Sequence, residues 1–161
     1  MSKNKIFSTL IDTPIPGYRL GVRVRNERLV SVEFVSSGAQ LIPPDSRFSR
    51  HVVRQFERYF DKQTWPFDVD LLAQGTEFQR RVWLALTNIP PGEVRRYGEL
   101  ALTLNSSARA VGNACRVNPL PIIVPCHRVV AATGIGGFMG QRRGGELDIK
   151  RWLLAHEGIT Q

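Results

Sequence analysis

Apolar and polar residues along the first half of the chain alternate at a period that predicts short strands, and then change to helical spacing. The segments Pro14–Gly17 and Asn26–Glu27 separate the first runs as turns, which indicates an antiparallel arrangement. From Arg47 onward large apolar residues recur at helical spacing, so we expect one helix that ends near Asp61. Another short strand is expected at Phe67–Leu71. The three earlier strand predictions are Ile6–Ile11, Tyr18–Val24 and Leu29–Val35.

The second half is typical of a series of helices with clear start and stop signals. Thr76, followed three residues later by a glutamine, is a capping-box pattern that opens an amphipathic helix. Pro90–Gly92 ends it, because prolines and glycine do not continue a helix. Two short helices joined by a serine-containing turn are expected next, Tyr97–Leu104 and Ala108–Val117, and a last helix at Leu147–Glu157. The short pair is typical of the helix-turn-helix of DNA-binding proteins.

Small residues occupy much of the second helix of this pair, and Arg109 and Arg116 are interspersed with them. The small residues are Ala108, Ala110, Gly112 and Ala114. Two interpretations stay equally open at this point. Small side chains allow tight packing inside the protein, or they allow the backbone to lie against a DNA groove while Arg109 projects from the start of the helix.

The segment Pro125-Cys126-His127-Arg128-Val129 carries the strongest chemical signal. A thiol is a useful nucleophile only as a thiolate, and nearby imidazole and cationic groups favour that form. The apolar run Ile122–Val124 directly before it predicts a buried strand that presents Cys126 at its tip. We therefore expect the sulfur of Cys126 to be the reactive atom of the protein.

The charge of the chain favours a polyanionic partner. Basic side chains exceed acidic ones by eight over the 161 residues, by three in residues 1–75 and by five in residues 76–161. The second region is almost wholly arginine-based, with Lys150 as its one lysine. Arginine suits phosphates and base edges because its planar fork donates several hydrogen bonds. A plain solvated surface is the alternative interpretation.

The cysteine count and the hydropathy pattern exclude several classes of protein. Cys115 and Cys126 alone make neither a disulfide framework nor a zinc site, so we expect no metal and no cofactor. We expect no secretory signal, because the first residues precede no long apolar stretch, and no apolar run approaches the ~20 residues of a membrane span. Because a free reactive thiol suits a reducing compartment, we expect a cytoplasmic protein without a membrane partner.

Several unrelated short motifs follow one another in a fixed order between residues 75 and 158. They are Gly75-Thr76-Glu77-Phe78-Gln79, Ile89-Pro90-Pro91-Gly92-Glu93, Ala108-Arg109-Ala110-Val111-Gly112, Asn118-Pro119, Pro125-Cys126-His127-Arg128-Val129 and Leu153-Leu154-Ala155-His156-Glu157-Gly158. As a set they resemble the O6-alkylguanine-DNA alkyltransferases, also called methylated-DNA–protein-cysteine methyltransferases. The resemblance covers about half of the chain.

This resemblance implies an α+β fold in two domains. Residues 1–74 would form a structural domain with a small antiparallel sheet and a helix, RNase H-like in arrangement. Residues 75–161 would form a mostly helical domain with the helix-turn-helix and a reactive-cysteine strand. The implied function is DNA repair by a single, irreversible transfer of an alkyl group from O6-alkylguanine, or O4-alkylthymine, to the protein's own cysteine. The implied partner is double-stranded DNA whose damaged base is flipped out, bound by a monomer.

The resemblance also implies a role for each matching residue in the chemistry. Cys126 would accept the alkyl group, and His127 would draw the thiol proton through a water. Glu157 would orient that histidine, as in other triads. Asn118 would brace the turn before the cysteine, and Tyr97 would help rotate the nucleotide and donate a proton to the guanine ring.

Two further sets of residues are implied to hold the DNA and the flipped base. Arg109 would enter the duplex and fill the space of the departed base. The DNA contacts would be Arg109, Tyr97, Ala108, Ala110, Gly112, Arg116 and Arg128. The pocket wall would be Val129, Phe138, Met139 and Gly140.

The sequence departs from the family pattern in its glycine- and arginine-containing loop. Residues 138–146 make a longer loop than in familiar members, and Phe138 and Met139 replace a tyrosine and a small hydroxyl residue. These changes bear on the range of alkyl groups accepted. Arg142 and Arg143 are candidates for phosphate contacts.

Three other functions compete with alkyl transfer. A non-catalytic lesion binder of the same fold lacks the acceptor cysteine, which is present here as Cys126. A thiol hydrolase usually has its histidine far away in sequence, whereas His127 is adjacent. A helix-turn-helix transcription factor does not require the Pro-Cys-His-Arg-Val segment.

Overall fold

The computed structural model divides into two units, with the boundary in sequence between Ala73 and Gln74. The first unit contains a three-stranded antiparallel sheet and one long helix. Residues 7–62, 64–139 and 144–160 are described. The strands are β1 (Thr9–Asp12), β2 (Tyr18–Arg25) and β3 (Arg28–Ser36). The sheet has the order β1-β2-β3, and Asn26 and Glu27, both with positive φ, make the tight turn between β2 and β3. The antiparallel prediction is therefore confirmed, although the first strand begins later than expected.

Helix α1 (Arg47–Asp61) ends at the predicted residue. Ser46 caps its start, because the hydroxyl accepts the N–H of Ser49 at 3.0 Å. One face is buried and presents Phe56 and Tyr59, whose rings lie 5.4 and 5.5 Å from that of Phe67. The predicted strand at 67–71 is reduced to a single bridge between Leu71 and Leu29.

The second unit consists mainly of four helices within the described residues. The helices are α2 (Glu77–Thr87), α3 (Tyr97–Thr103), α4 (Ala108–Arg116) and α5 (Gly145–His156). Thr76 caps α2 as predicted, and Ser107 caps α4 by accepting the N–H of Ala110 at 3.1 Å. Asn105 (φ 53°) turns the chain between α3 and α4, which confirms the helix-turn-helix. Helix α5 begins two residues before the predicted start.

The segment before the cysteine differs from its prediction. Residues 121–124 form turns and not a strand, and Cys126–Arg128 form one 3-10 turn. The strand comes afterwards: β5 (Val129–Val130) pairs in parallel with β4 (Arg95–Arg96). A short apolar run indicates burial but does not decide between strand and turn, which explains the error. Because β4 leads directly into α3, this pairing brings Tyr97 beside the cysteine turn.

Candidate active site

A single asparagine shapes the loop that leads to the cysteine. Asn118 donates through Nδ2 to the carbonyl of Val124 (2.8 Å) and accepts at Oδ1 from the N–H of Leu120 (2.9 Å). The N–H of Val124 donates to the carbonyl of Leu120 at 2.8 Å. Inside this loop Ile122 has a φ of 77°, which β-branched residues rarely adopt. The hydrogen bonds around it therefore hold a strained backbone in place.

Cys126 follows directly, after Pro125 makes an inverse γ-turn (φ −82°, ψ 66°). Only 4% of the cysteine is exposed. Burial raises the pKa of the Cys126 thiol, and a hydrogen bond from the Asn118 side chain and the charge of Lys150 oppose that rise. Formation of the thiolate therefore depends on these protein groups more than on solvent.

His127 is fully buried beside the cysteine and bonded to a carboxylate. Its Nε2 lies 2.8 Å from Oε2 of Glu157. Because an ionised carboxylate only accepts hydrogen bonds, Nε2 carries the hydrogen and Nδ1 keeps a lone pair. Burial, opposed by the bond to Glu157, lowers the pKa of His127. Nδ1 is buried and has no hydrogen-bond partner among the described residues, so it can accept a proton.

Arg128, expected among the DNA contacts, is buried and bound to the same carboxylate, so that expectation is wrong. Its Nε and Nη2 donate to Oε1 and Oε2 of Glu157 at 2.8 and 2.9 Å, and its Nη1 donates to the carbonyl of Ile89 at 2.6 Å. Burial alone would raise the pKa of Glu157, but the bonds from His127 and Arg128 hold it well below its usual range. Arg128 thus keeps the carboxylate ionised.

Lys150 is the residue of this site that sequence reasoning missed. It is fully buried on α5, and its Nζ donates to the carbonyls of Val129 (2.7 Å) and Gly137 (2.8 Å). Burial lowers its pKa to about 8, and the thiolate charge of Cys126 opposes the shift. A lysine in the apolar stripe of α5, between Leu147 and Leu154, is the signal that could have revealed it.

Tyr97, the first residue of α3, closes another side of the site. Burial, and then the thiolate charges of Cys115 and Cys126, raise the pKa of Tyr97, so its phenol stays protonated. Its hydroxyl donates to the carbonyl of Gly137 at 3.5 Å, a long hydrogen bond. A Cβ at Gly136 (φ 75°) would lie 3.1 Å from the Tyr97 ring, so this loop approaches the ring closely because glycine is present.

Helix α4 has a buried face, to which the tight-packing interpretation applies, and an exposed face, for which contact with DNA stays a prediction. Val111, Ala114 and Cys115 are buried, and the carbonyl of Ala114 accepts from the Trp83 indole at 2.9 Å. The predicted DNA contacts that belong to α4 lie outside this buried face. Ala108, Arg109 and Arg116 are exposed, and Ala110 and Gly112 are half-buried.

The predicted pocket wall is only partly brought to this site. Val129 and Phe138 are buried, and the Val129 carbonyl is engaged by Lys150. Met139 is half-buried with a φ of 50°. Gly140, with Arg142 and Arg143, lies outside the described residues.

Comparison with known proteins points to one family. The family model described as the 6-O-methylguanine DNA methyltransferase DNA-binding domain matches residues 77–159. A protein of Methanosarcina acetivorans named methylated-DNA–protein-cysteine methyltransferase is 45% identical over 139 residues, which cover 82% of this chain and 86% of that protein. This chain belongs to the methylated-DNA–protein-cysteine methyltransferase family. A Mycobacterium bovis relative of the same name is 42% identical over 91% of this chain and 89% of that protein.

Solved structures of this methyltransferase family agree in fold. The O6-methylguanine methyltransferase of Mycobacterium tuberculosis matches with a TM-score of 0.77 at 38% identity, over 92% of this chain and 90% of that one. Its structure in complex with DNA matches with a TM-score of 0.75 at 39% identity, over the same shares. The predicted α+β fold is therefore confirmed.

Among the helices of the described residues, none has the length and apolar character of a membrane-spanning helix.

Proposed function

We propose that this methyltransferase-family protein repairs DNA by moving the alkyl group of O6-alkylguanine onto Sγ of Cys126, once per molecule. The observation that carries the proposal is the relay beside the thiol. His127 is bonded through Nε2 to an ionised Glu157, and its Nδ1 is left with a lone pair. A relay of this kind has no use in a protein that only binds DNA.

The protons and electrons of the transfer balance with the groups present. Nδ1 of His127 takes the thiol proton, through a bridging water as in the family, and Sγ attacks the alkyl carbon. As the S–C bond forms, the bond from carbon to O6 breaks and its electron pair stays on the guanine. Tyr97 donates a proton to the purine ring, which lowers the cost of the departing anion. The raised pKa keeps the phenol of Tyr97 protonated in the free protein, and because it also makes the phenol a weaker acid, the proton moves only as negative charge develops on the purine.

Lys150 is assigned an electrostatic role in this mechanism. Its ammonium group lies near enough to the sulfur to lower the pKa of Cys126, so it stabilises the thiolate in a site that solvent barely reaches. Its hydrogen bonds to the carbonyls of Val129 and Gly137 also join β5 to the segment around Gly137. We assign Lys150 to positioning that segment as well.

The exposed face of α4 is assigned to DNA, with Arg109 entering the duplex in place of the flipped base. Gly112 supports this assignment. A Cβ there would meet only the Tyr97 ring, at an ordinary 4.0 Å, so packing within the protein does not require glycine. A close approach of DNA to the backbone explains why a larger residue is absent.

The remaining assignments follow from the same proposal. Residues 75–161 carry DNA binding and transfer, and residues 1–74 have a structural role. The protein acts as a monomer in the cytoplasm, where a free acceptor thiol stays reduced. Val129, Phe138 and Met139 border the base, and O4-alkylthymine is a second substrate.

The decisive experiment measures the intact mass of the protein after incubation with duplex DNA that contains one O6-methylguanine. We expect one added methyl per molecule, located on Cys126 by peptide mapping, without further turnover. Cys115→Ala is the matched control, because it removes the other buried thiol and should leave transfer intact. Cys126→Ala should bind DNA without accepting methyl. Unmodified mass, or methyl on Cys115, would refute the proposal.

The role of Arg109 is tested by comparing two substrates. Arg109→Ala should slow transfer from duplex DNA by far more than transfer from the free O6-alkylguanine base, because the free base needs no flipping. Arg116→Ala is the control for loss of charge on the same helix face and should weaken binding more than it slows the transfer step. Equal slowing of both substrates in Arg109→Ala would contradict the flipping role.

A further inference from the structure

Helix α1 in the first unit carries a stripe of four exposed arginines that the proposed function does not use. They are Arg47, Arg50, Arg54 and Arg58. At the angular spacing of an α-helix they fall within an arc of about 80°. The buried residues of α1, among them Val52, Phe56 and Tyr59, lie on the opposite side. The stripe is therefore a separate, outward face of the helix.

These arginines are poorly placed for the stability of the helix itself. Arg47 and Arg50 stand in and beside the first turn, which contains no acidic residue, so their charges oppose the positive end of the helix dipole. Arg50, Arg54 and Arg58 follow one another at i,i+4 spacing, where like charges repel. Helix stability thus does not explain the stripe, and a bound polyanion would relieve both effects.

The charges of the stripe are not neutralised by ion pairs among the described residues. The ion pairs found in that part of the chain include none of these four guanidinium groups. The acidic residues of α1 follow the stripe at i,i+3 spacing, Glu57 after Arg54 and Asp61 after Arg58. Arg58 also lies over the Trp65 ring at 4.7 Å. The positive charge is therefore densest at Arg47 and Arg50, although the four guanidinium groups still exceed the two carboxylates by two.

We propose that this arginine stripe is a second DNA-binding surface, which contacts the phosphates of duplex DNA without reading its sequence. From Arg47 to Arg58 the stripe is about 16 Å long, close to the axial length of five base pairs. Arginine forks suit phosphate oxygens. Duplex DNA is favoured over other polyanions because the chain belongs to a DNA-acting family and carries a helix-turn-helix in its other unit.

The test measures how the affinity for unmodified duplex DNA depends on salt, in the full-length chain. For Arg50→Gln combined with Arg54→Gln, the slope of log K against log salt should become shallower by about 1.8, at 0.9 per lost phosphate contact. The loss of affinity between 50 and 200 mM salt should then shrink by about tenfold. Arg25→Gln combined with Arg28→Gln, in the exposed β2–β3 turn, removes the same charge from the same unit and should leave the slope nearly unchanged.

Three further measurements distinguish phosphate binding by the stripe from a loss of folding or of catalysis. Glutamine is a good helix former, so the melting temperature should stay equal or rise, which excludes unfolding as the cause. Arg50→Lys combined with Arg54→Lys should keep most of the slope, because lysine keeps the charge. Transfer from the free alkylguanine base should be unchanged, so failure of this inference is distinct from failure of the proposed function. An unchanged slope, or an equal change in both glutamine pairs, would overturn the second surface.

Discussion

The cysteine turn and helix α4 are neighbours in sequence, but they differ in how much of their surface is buried. The turn from Asn118 to Arg128 is almost wholly buried, and the charge of Arg128 is neutralised by Glu157. Helix α4 is buried on one face only, and its other face exposes Arg109 and Arg116. In the turn, by contrast, Asn118, His127 and Arg128 are each held by side-chain hydrogen bonds.

Under the proposed function, this difference separates the chemistry of transfer from the recognition of DNA. A buried relay keeps fixed donors and acceptors around one sulfur, where electrostatic effects are strong because water is largely excluded. Recognition of phosphates requires the reverse, namely exposed charge that DNA can reach. Changes in the turn should therefore affect stability and transfer together, and changes on the outer face of α4 should affect DNA binding and base flipping while leaving transfer from the free base nearly intact.

The largest expected effect comes from Glu157→Gln, which removes the charge at the centre of the buried cluster. Arg128 would remain buried without its carboxylate, and breaking such a pair costs about 3–5 kcal/mol of unfolding free energy. Transfer from the free base should also slow, because His127 loses the group that fixes its tautomer. Urea unfolding and single-turnover kinetics measure the two losses.

The acid side of the stability profile gives a second check on Glu157. Because its pKa is held below the unfolded value of about 4.3, the ionised group stabilises the fold above that pH and loses this contribution as the pH falls further. The unfolding free energy should fall less steeply with decreasing pH in Glu157→Gln than in the wild type. Glu99→Gln, at the exposed start of α3, is the control and should change stability little. Wild-type transfer in Glu157→Gln at every pH would show that the relay is not used.

Lys150→Met should have the next largest effect on stability, and the size of this effect should depend on pH. The folded pKa is about 8 and the unfolded one about 10.4, so between these values the unfolded chain binds a proton that the folded chain does not. Stability of the wild type relative to the variant should therefore rise with pH across this window, by roughly 3 kcal/mol. The measurement is urea unfolding of both proteins from pH 7.5 to 10.5.

Transfer by Lys150→Met should be slower near pH 7, since the thiolate loses a stabilising charge. Arg151→Met changes the neighbouring exposed residue and should leave both the pH profile and the rate as in the wild type. A flat stability difference across the window would mean that Lys150 is not held in a desolvated site.

The smallest expected effect on stability, and one of opposite sign, belongs to Gly112→Ala. The new methyl group fits against Tyr97, and alanine favours a helix by up to about 1 kcal/mol over glycine, so the fold should be equally or more stable. DNA affinity should nevertheless fall, because the methyl group obstructs close approach of the backbone. Gly98→Ala in α3, where a Cβ has open space, is the control. Undiminished DNA affinity in Gly112→Ala would place the DNA elsewhere.

Much of the fold follows from local signals in the sequence. Thr76 and Ser107 act as helix caps, and Asn26–Glu27 turns between two strands, because each of these depends on hydrogen bonds or backbone angles within a few residues. The apolar run Ile122–Val124 predicts a strand, and there the prediction is wrong. Its shape depends on Asn118 and on burial among distant elements, which periodicity does not reveal.

The candidate site was predictable in its reactive residues and less so in their surroundings. Cys126, His127 and Glu157 are brought together as the resemblance implies, although their roles remain proposals. Arg128 was misplaced, because net charge does not show whether an arginine faces DNA or a buried carboxylate. Lys150 was overlooked because a single lysine in a helix is usually solvated, and only its burial and its bonds to two carbonyls show otherwise.

The left-handed Ile122 has a consequence for the spent protein. Its conformation costs on the order of 1–3 kcal/mol, and it lies only four residues before a cysteine that is almost fully buried. An alkyl group on that sulfur needs space that only a shift of this strained backbone can provide. The alkylated protein should therefore be less stable than the unmodified one, and more susceptible to proteolysis.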